Sequence, residues 1–286
     1  MASPKWLLTG AGGMLGTDLY DELTSLGESV VALNRAELDV TDSRIVNACV
    51  ADHAPTIIIN CAAYTKVDLA ESEESLANAI NGSAVELLAS AANAAGALLV
   101  QVSTDFVFDG AKRTPYEVTD ATNPLSVYGR SKLLGEIAAK HAEKHLIVRT
   151  SWLFGTNGPN FVEAIRNQIR KGTNPLRVVN DQHGRPTYTP HLARAIVRLA
   201  RLANESDVAR GVVHYADEDA CSWFDFASAI AEGSGIDVRP VSSAEFPRPA
   251  VRPAYSVLST ERYERLTGAR PESWRAGLAE YLERRT

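Results

Sequence analysis

The sequence predicts an α/β fold, a Rossmann-type doubly wound parallel sheet with a smaller C-terminal α/β lobe. Three observations indicate this fold. A short apolar run, residues 5–8, leads directly into a glycine-rich loop and then a helical pattern. The unbroken apolar run at residues 56–60 is typical of a central parallel strand, which is buried on both faces. Further runs of this kind alternate with helical patterns along the first half of the chain, as βαβ units do.

The composition bounds the class of protein. A chain of 286 residues is long enough for one large α/β domain or for a domain with a smaller lobe. Its net charge of −6 and its scattered basic residues argue against binding to nucleic acid or to an acidic membrane surface. No apolar run approaches the ~20 residues of a membrane span, and the first strand begins too early to leave room for a signal peptide. We therefore expect a cytoplasmic protein with neither kind of partner.

The cysteines and histidines form no pattern of metal ligands. Cys49, Cys61 and Cys221 are too few and too scattered for a disulfide framework or a zinc site. His141 and His145 stand at i and i+4, but lysines flank them, which favours a solvated helix end. The sequence therefore predicts no metal site.

Three glycines at a spacing of three, Gly10, Gly13 and Gly16, follow the first predicted strand. In a dinucleotide-binding unit such glycines permit a tight turn, let the backbone approach a pyrophosphate and let the helix pack on the strand. The helix predicted over residues 14–26 would turn its free N–H groups to the phosphates, so Met14 and Leu15 are expected to contact the cofactor as well. A plain turn is the alternative. Residues 1–152 are accordingly predicted to form a dinucleotide-binding domain.

The end of the second predicted strand bears on the choice of cofactor. Sites that prefer NAD usually carry Asp or Glu here to bind the ribose 2′-hydroxyl. This sequence has Asn34, which has no charge to repel a 2′-phosphate, and Arg35, which could pair with one. The prediction is NADPH, with NADH possible, and Asp39 and Val40 are placed beside the adenine. The alternative for Arg35 is stacking on the adenine or solvation.

Small residues follow the third predicted strand. Ala62, Ala63 and Thr65 leave space there for the ribose and the nicotinamide of a cofactor. A long alanine-rich helix is predicted from about residue 75 to residue 95.

The fourth predicted strand, residues 98–102, runs into Ser103 and Thr104. Ligands of open α/β sheets bind beyond the carboxyl ends of the strands, so either hydroxyl group could hold a substrate oxygen. After a loop, Tyr128 and Lys132 stand at i and i+4 of a predicted helix that extends to about residue 144. Their head groups can therefore reach one point. An ammonium lowers the pKa of a nearby phenol, and the trio suits proton transfer coupled to hydride transfer.

The second half of the chain is predicted to be a substrate-binding lobe, residues 153–286, with the segment of residues 176–217 rejoining the first sheet. Trp152, just past the fifth predicted strand, could lie against a sugar ring, with burial in the core as an equal alternative. A proline-rich stretch, residues 240–253, indicates an ordered loop or lid. Within it Arg248 and Arg252 are candidate diphosphate anchors, for which solvation is the alternative.

Taken together, these motifs resemble the dTDP-4-dehydrorhamnose reductases, a family of extended short-chain dehydrogenases/reductases. The superfamily pattern is the glycine spacing with the Tyr128 and Lys132 pair. The pieces that resemble the reductases occur in the family's order over nearly the whole chain. They are residues 60–68, 103–110, 123–132, 149–152, 180–187 and 252–258.

The resemblance implies reduction of the C4 ketone of dTDP-4-dehydro-β-L-rhamnose to dTDP-L-rhamnose with hydride from NADPH or NADH. Tyr128, assisted by Lys132, would protonate the developing alkoxide, while Thr104 would hold the oxygen. The family pattern also places Asp105, Trp152, Asn160, Gln182 and Arg252 near the substrate, in addition to Ser103 from its place at the end of the strand.

The sequence departs from the family at two points. Some members dimerise around a magnesium ion held by glutamates. Asp18 could stand for one of these ligands, but residues 188–191 offer no carboxylate for another. This argues against a metal-bridged dimer and leaves a monomer or a plain homodimer. Phe106 stands where a tyrosine is common, which removes a hydroxyl group but no catalytic group.

Three alternative functions fit parts of the pattern. Another nucleotide-sugar 4-ketoreductase, making for example a 6-deoxy-talose or an antibiotic sugar, would use the same residues. An epimerase or dehydratase fits less well, because Asp105 and Phe106 do not supply the acidic pair typical of a dehydratase after Thr104. A non-catalytic regulatory subunit, similar to the β subunit of methionine adenosyltransferase, is opposed by the intact Thr104, Tyr128 and Lys132.

Overall fold

The computed structural model describes residues 4–284. The strands are β1 (Lys5–Thr9), β2 (Ser29–Leu33), β3 (Ile57–Asn60), β4 (Leu98–Thr104), β5 (His145–Thr150), β6 (Leu153–Phe154), β7 (Leu176–Val179), β8 (His183–Gly184), β9 (Thr187–Tyr188), β10 (Gly211–His214), β11 (Cys221–Ser222) and β12 (Val238–Val241).

The helices connect these strands. They are α1 (Met14–Ser25), α2 (Ser43–His53), α3 (Val67–Ala70), α4 (Glu74–Asn78), α5 (Ala84–Ala95), α6 (Val127–Ala139), α7 (Phe161–Arg170), α8 (Thr189–Glu205), α9 (Trp223–Ile230), α10 (Glu261–Thr267) and α11 (Trp274–Glu283). A π-helical turn, Ala79–Ser83, lies between α4 and α5. Among the described residues no helix is both long enough and apolar enough to cross a membrane.

A six-stranded parallel sheet forms the centre of the protein, with the strand order β10-β5-β4-β3-β1-β2. Strand β2 lies beside β1 at one edge of the sheet, and β3 lies on the other side of β1, so the direction of strand addition reverses at β1. Such a switch point opens a crevice beyond the carboxyl ends of the strands, where α/β proteins bind ligands. The predicted fold class, a Rossmann-type parallel sheet with a smaller α/β lobe, is confirmed.

Both faces of the sheet are covered by helices. In β1 the side chains of Trp6 and Leu8 enter the core on the face of α1 and α8, while Leu7 enters the core on the face of α2, α5 and α6. This alternation follows from the two-residue period of a strand. Burial of each large apolar side chain stabilises the fold by roughly 1.5–3 kcal/mol.

A separate core lies in the C-terminal half, where Phe154, Tyr188, Phe226 and Trp274 pack together. Short strand pairs surround it, with β7 beside β12, β8 beside β11 and β6 beside β9. The segment of residues 176–217 is expected to rejoin the first sheet. Its strand β10 does lie in that sheet, and its helix α8 covers one face of the sheet. Strand β7, at the beginning of the segment, instead pairs with β12 outside the sheet.

Several elements differ from the sequence-based expectation. The predicted helix of residues 75–95 is interrupted by the π-helical turn, and α6 ends at Ala139 rather than near residue 144. Helix α2 was not predicted, although Asp42 marks its start by accepting hydrogen bonds from the N–H groups of Arg44 and Ile45. Strand β12 occupies the start of the stretch that was predicted to be a loop.

Replacing Gly10 by alanine should lower the free energy of unfolding by about 2–4 kcal/mol. Gly10 has a φ of +67°, and a Cβ there would lie 2.5 Å from the backbone nitrogen of Ala62. Gly27→Ala is the matched control, because Gly27 has a φ of +72° and a Cβ there would meet nothing within 4 Å. That variant should lose only about 1–2 kcal/mol, from its left-handed backbone alone. Urea denaturation measures both values, and equal losses would contradict the close packing of Gly10.

Candidate active site

Thr104 and Tyr128 come together at the carboxyl end of β4. Thr104 is the last residue of the strand, and its side chain accepts a hydrogen bond from the N–H of Phe106 at 3.2 Å as the chain turns. Tyr128 is the second residue of α6, whose N-terminus is capped by the side chain of Ser126. The hydroxyl group of Thr104 lies close enough to that of Tyr128 to favour the phenolate by hydrogen bonding. The ring of Phe106 packs edge-on against Tyr128, with centroids 5.5 Å apart.

Lys132 lies one turn beyond Tyr128 on α6, and its ammonium is buried. Its Nζ donates a hydrogen bond to the carbonyl oxygen of Val102 at 2.7 Å, and only 4% of the residue is exposed. Burial lowers the pKa of Lys132 to about 8, although the nearby Glu136 carboxylate favours the charged form. This ammonium therefore gives up its proton much more readily than that of a solvated lysine.

The pKa of the Tyr128 phenol differs from the expected value. Burial raises its pKa to about 12, the hydrogen bond with Thr104 acts in the opposite direction, and the Asp105 carboxylate adds to the rise. The expected net lowering of this pKa is therefore wrong, because burial of the phenol outweighs the effects that favour the phenolate. Tyr128 is a neutral phenol at neutral pH, which is the form that can donate a proton.

Asp105 completes the cluster of buried polar groups and is 1% exposed. One of its carboxylate oxygens accepts a hydrogen bond from the Thr104 hydroxyl at 2.9 Å. Burial raises the pKa of Asp105 to about 6, although hydrogen bonds from Ser256 and Thr104 favour its charged form. The Thr104 proton thus has a partner within the protein and would have to turn away from Asp105 to reach a substrate.

A buried ion pair lies beneath this cluster. The guanidinium of Arg149 donates to both carboxylate oxygens of Glu136, from Nε at 2.8 Å and from Nη2 at 2.7 Å. The Ser103 hydroxyl donates to the same carboxylate at 2.5 Å. The Ser103 hydroxyl is therefore engaged within the protein, and it is the Thr104 hydroxyl that meets Tyr128. The interpretation of Ser103 as a substrate contact stays a prediction.

In the glycine loop between β1 and α1, backbone segments pack against each other without intervening side chains. A Cβ at Gly16 would lie 2.4 Å from the carbonyl oxygen of Gly10, so the helix could not dock there with any side chain. Gly13 precedes α1 and no side chain caps the helix, which leaves its first turn, beginning with Met14 and Leu15, open to an anion. Gly12 and Gly13 are exposed. These features fit the pyrophosphate of a dinucleotide.

The end of β2 lies beside this loop. A Cβ at Gly12 would be 3.4 Å from the Cβ of Asn34, which places Asn34 against the loop. The Asn34 side chain accepts a hydrogen bond from the N–H of Ala36 at 2.8 Å. Arg35 is exposed, so its guanidinium lies at the surface next to the proposed ribose position.

Asp39 and Val40, which were placed beside the adenine, have different surroundings. The Asp39 carboxylate accepts hydrogen bonds from the hydroxyl of Thr41 at 2.7 Å and from its N–H at 3.0 Å, and these hold the pKa of Asp39 below its usual range. Val40 is buried in the core between the sheet and α2. The adenine contact of both residues stays a prediction.

Ala62, Ala63 and Thr65 follow β3 at the same edge of the sheet. The N–H of Ala62 donates to the Asn60 side chain at 3.1 Å, which fixes the chain where it leaves the strand. Ala62 and Ala63 are half-buried and Thr65 is exposed. Since Ala62 lies directly against Gly10, these small residues border the glycine loop.

Buried amides that sequence reasoning missed tie the strands together at this edge. The Asn60 side chain accepts a hydrogen bond from the Thr9 hydroxyl at 2.6 Å and donates to the Gln101 side chain at 2.8 Å. Asn81, in the π-helical turn, donates to the Ser131 hydroxyl at 2.9 Å and so links this turn to α6. The available signal was a polar residue within an otherwise apolar strand, at Asn60 and Gln101. These bonds hold the ends of β1, β3 and β4 in register.

Trp152 lies at the border of the C-terminal half. Its ring stacks on Trp223 with centroids 3.6 Å apart and planes at 7°. A Cβ at Gly184 would lie 2.5 Å from the Trp152 ring, so glycine is required there. Trp152 is half-buried and its backbone has a φ of +47°, a conformation held by these contacts.

Asn160 caps α7 rather than presenting an open amide. Its Oδ1 accepts a hydrogen bond from the N–H of Glu163 at 3.1 Å. Its Nδ2 donates to the carbonyl oxygens of Gly155 and Gly158 at 2.7 and 3.0 Å. Both hydrogens of the amide are used within the protein, so Asn160 shapes this loop. Its interpretation as a substrate contact stays a prediction.

Gln182, Arg248 and Arg252 line one cavity of about 390 Å³. The guanidinium of Arg252 pairs with both carboxylate oxygens of Asp68 at 3.0 Å. This hydrogen bonding lowers the pKa of Asp68 below its usual value. Asp68 thereby fastens the proline-rich loop to the start of α3, a role that sequence reasoning did not assign. The Gln182 side chain donates to the hydroxyl of Ser243 at 2.8 Å.

The arrangement can transfer a proton at one oxygen atom next to a dinucleotide site. The carboxyl ends of β1 and β4 are two strand spacings apart, about 10 Å, a distance that a dinucleotide spans readily. A neutral phenol bound to a threonine hydroxyl, with a buried ammonium behind it, suits oxidation or reduction at a carbon that bears oxygen.

Comparison with known proteins gives matches over nearly the whole chain. The chain matches the family of the RmlD substrate binding domain over residues 4–286. It is 43% identical over 284 residues to the dTDP-4-dehydrorhamnose reductase of Streptomyces griseus, with 97% of this chain and 92% of that protein covered. It is 41% identical over 266 residues to the dTDP-4-keto-6-deoxy-D-glucose reductase of Streptomyces niveus, with 91% and 90% covered.

A solved structure is similar along its whole length. The crystal structure of dTDP-4-dehydrorhamnose reductase from Bacillus anthracis in complex with NADP has a TM-score of 0.92 to this chain at 37% identity. The likeness covers 99% of this chain and 100% of that one.

Replacing Glu136 by glutamine should lower the free energy of unfolding by about 3–5 kcal/mol, because it leaves the Arg149 guanidinium buried without its countercharge. The matched control is Glu86→Gln, which removes a contact with His141. The Glu86 side chain is 51% exposed and the His141 side chain is 60% exposed. That contact should contribute at most about 1 kcal/mol. Denaturation followed by circular dichroism measures both, and a small loss in the Glu136 variant would show that the buried pair is dispensable.

Proposed function

This chain belongs to the RmlD family, and from that premise we propose that it reduces the C4 ketone of dTDP-4-dehydro-β-L-rhamnose to dTDP-L-rhamnose with NADPH. The observation that carries the proposal is the meeting of Thr104, Tyr128 and Lys132 at the edge of the sheet that also bears the glycine loop. The matches to named reductases extend over both the sheet and the C-terminal half, which supports assignment of the substrate as well as the cofactor.

The side chains of this protein would act on the ketone oxygen. NADPH, held at the glycine loop and the first turn of α1, would supply the hydride for C4. Thr104 would turn its hydroxyl proton from Asp105 to the ketone oxygen and so orient the carbonyl group. Tyr128 would donate its phenolic proton to the same oxygen as negative charge develops there. A phenol with a pKa of about 12 is protonated at neutral pH yet remains more acidic than an alcohol, so the transfer is favourable.

Lys132 would act through Tyr128. When the phenol has given up its proton, a charged ammonium one turn along the helix stabilises the phenolate. The pKa of Lys132, about 8, means that the ammonium is charged at neutral pH, and the Glu136 carboxylate favours that form. The buried pair of Glu136 and Arg149 therefore supports the charge on which proton donation depends.

NADPH is proposed as the preferred cofactor. Asn34 carries no charge that would repel a 2′-phosphate, and the exposed Arg35 adjoins it. The NADP complex of the Bacillus anthracis reductase supports this choice.

The nucleotide-sugar would lie between the catalytic cluster and the cavity bordered by Gln182, Arg248 and Arg252. The two arginines share one countercharge, the Asp68 carboxylate, which leaves one positive charge beside the cavity for a diphosphate. The stacked ring of Trp152 would border the sugar. Trp152 and the arginines belong to different loops, so the proposed site spans the C-terminal half.

A second candidate is the reduction of a related dTDP-4-keto sugar. This second candidate is supported by the 41% identity of the chain to the Streptomyces niveus dTDP-4-keto-6-deoxy-D-glucose reductase. The same groups would donate the proton, and only the pose of the sugar would differ.

A coupled assay separates the two candidates. dTDP-4-keto-6-deoxyglucose would be offered with and without a 3,5-epimerase, with NADPH oxidation followed by absorbance and the product identified by NMR. Oxidation that requires the epimerase and yields dTDP-L-rhamnose supports the first proposal. Oxidation without the epimerase, or a product with another configuration, would support the second. Tight NADPH binding without any oxidation would refute both.

Tyr128→Phe should reduce kcat by about 10²–10⁴-fold, because the variant lacks the acid that protonates the alkoxide. The dissociation constant for NADPH, measured by fluorescence titration, should change little. Tyr20→Phe is the control, since Tyr20 is 43% exposed and lies outside the site. Full activity in the Tyr128 variant would refute the assignment of the acid.

Arg35→Ala should raise the KM for NADPH by about 10-fold or more and leave that for NADH nearly unchanged, because a charged hydrogen bond to the 2′-phosphate is lost. Arg44→Ala, at an arginine whose side chain is 91% exposed, is the control. Steady-state kinetics with both cofactors measure the effect. An equal change in KM for the two cofactors would mean that Arg35 does not bind the 2′-phosphate.

A further inference from the structure

A second cluster of ligating side chains lies outside the candidate active site, where α8 approaches α11. His191 is in the first turn of α8, Glu272 precedes α11, and Glu280 is within α11. One ligand atom from each lies within 4.8 Å of the others. We propose that these three residues bind a divalent transition-metal ion of the zinc type, which fastens the C-terminal helix to α8.

The buried imidazole of His191 is oriented as a ligand. Its side chain is fully buried, and its Nδ1 lies 2.8 Å from a carboxylate oxygen of Asp217, which is also fully buried. The same oxygen accepts a hydrogen bond from the N–H of Tyr188 at 3.0 Å, so Asp217 is itself fixed. A carboxylate that takes the Nδ1 hydrogen fixes the tautomer and turns the lone pair of Nε2 outward. Metal-bound histidines in proteins are held in this way.

The Nε2 atom of His191 is buried and has no hydrogen-bond partner among residues 4–284. It faces the carboxylates of Glu272 at 3.5 Å and Glu280 at 3.9 Å. A buried nitrogen of this kind needs a partner. A metal ion between the nitrogen and the two carboxylates would satisfy all three groups.

The distances from the His191 Nε2 atom are near those of a tetrahedral ion. Zinc bonds of about 2.0–2.2 Å place neighbouring ligand atoms roughly 3.4 Å apart. Glu272 is already at this distance from Nε2, and Glu280 requires only a small side-chain movement, which its 42% exposure permits. Both carboxylates reach the surface, so a water molecule can take the fourth position.

The ligand types select the class of metal. An imidazole nitrogen suits zinc and similar transition metals, whereas magnesium and calcium prefer sites made of oxygen alone. The second oxygen of Glu272 accepts a hydrogen bond from Arg194 at 2.6 Å, which directs the first towards His191. Asp18, the residue considered for magnesium, instead accepts a hydrogen bond from Asn157 at 3.0 Å.

Metal binding to the full-length chain tests the proposal. The protein is stripped with a chelator and titrated with ZnCl₂ by calorimetry and with CoCl₂ by visible absorption. We expect one Zn²⁺ per chain and the intense visible bands of a tetrahedral Co²⁺ site. Absence of saturable Zn²⁺ binding, or binding of Mg²⁺ alone, would overturn the proposal.

Matched variants locate the site. Glu280→Gln and Glu272→Gln change half-exposed side chains and should each weaken Zn²⁺ binding about 10-fold or more and abolish the Co²⁺ bands. Glu205→Gln, at an exposed residue of α8 outside the cluster, should bind as the wild type does. Added Zn²⁺ should raise the Tm of the wild type and not that of Glu280→Gln. Unchanged affinity in both cluster variants would overturn the proposal, because the ion would then bind elsewhere.

Discussion

The burial of the Lys132 ammonium is the interaction on which the rest of the site depends. A buried cation needs a carbonyl oxygen and a countercharge, and here Val102 and Glu136 supply them. Glu136 in turn needs the guanidinium of Arg149, which lies 5.0 Å from the centre of the Phe108 ring. One buried charge therefore fixes the position of α6 on both β4 and β5.

Close packing of α6 makes this arrangement rigid. A Cβ at Gly129 would lie 2.3 Å from the carbonyl oxygen of Phe106, and one at Gly135 would lie 2.1 Å from that of Asn81. The helix therefore touches the turn after β4 on one side and the π-helical turn on the other. Because Tyr128 is one residue from Gly129, the packing that accommodates the glycine also sets the phenol against Thr104.

The sequence predicts those features that depend on local spacing. The glycine loop, the strand that ends at Thr104, and the shared face of Tyr128 and Lys132 all follow from the periods of strands and helices. Features that depend on tertiary contacts could not be predicted in this way. Ser103 and Thr104 are adjacent in a strand, and only the packing of α6 decides that Ser103 binds Glu136. The same holds for clusters whose members are far apart in the chain, such as His191 with Glu272, and for pKa values governed by burial.

The central claim is that a charged, buried Lys132 supports proton donation by a neutral Tyr128. The most direct test is the pH dependence of kcat/KM for the reductive reaction, because it reports the essential groups of the free enzyme. The pKa of Lys132 is lowered to about 8, so the charge is present below that pH and is lost as the pH rises through it. We predict a plateau below about pH 8 and a decline above it, since Tyr128 keeps its proton until much higher pH. A profile that stays flat until the ordinary lysine range, near pH ~10.4, would contradict the account.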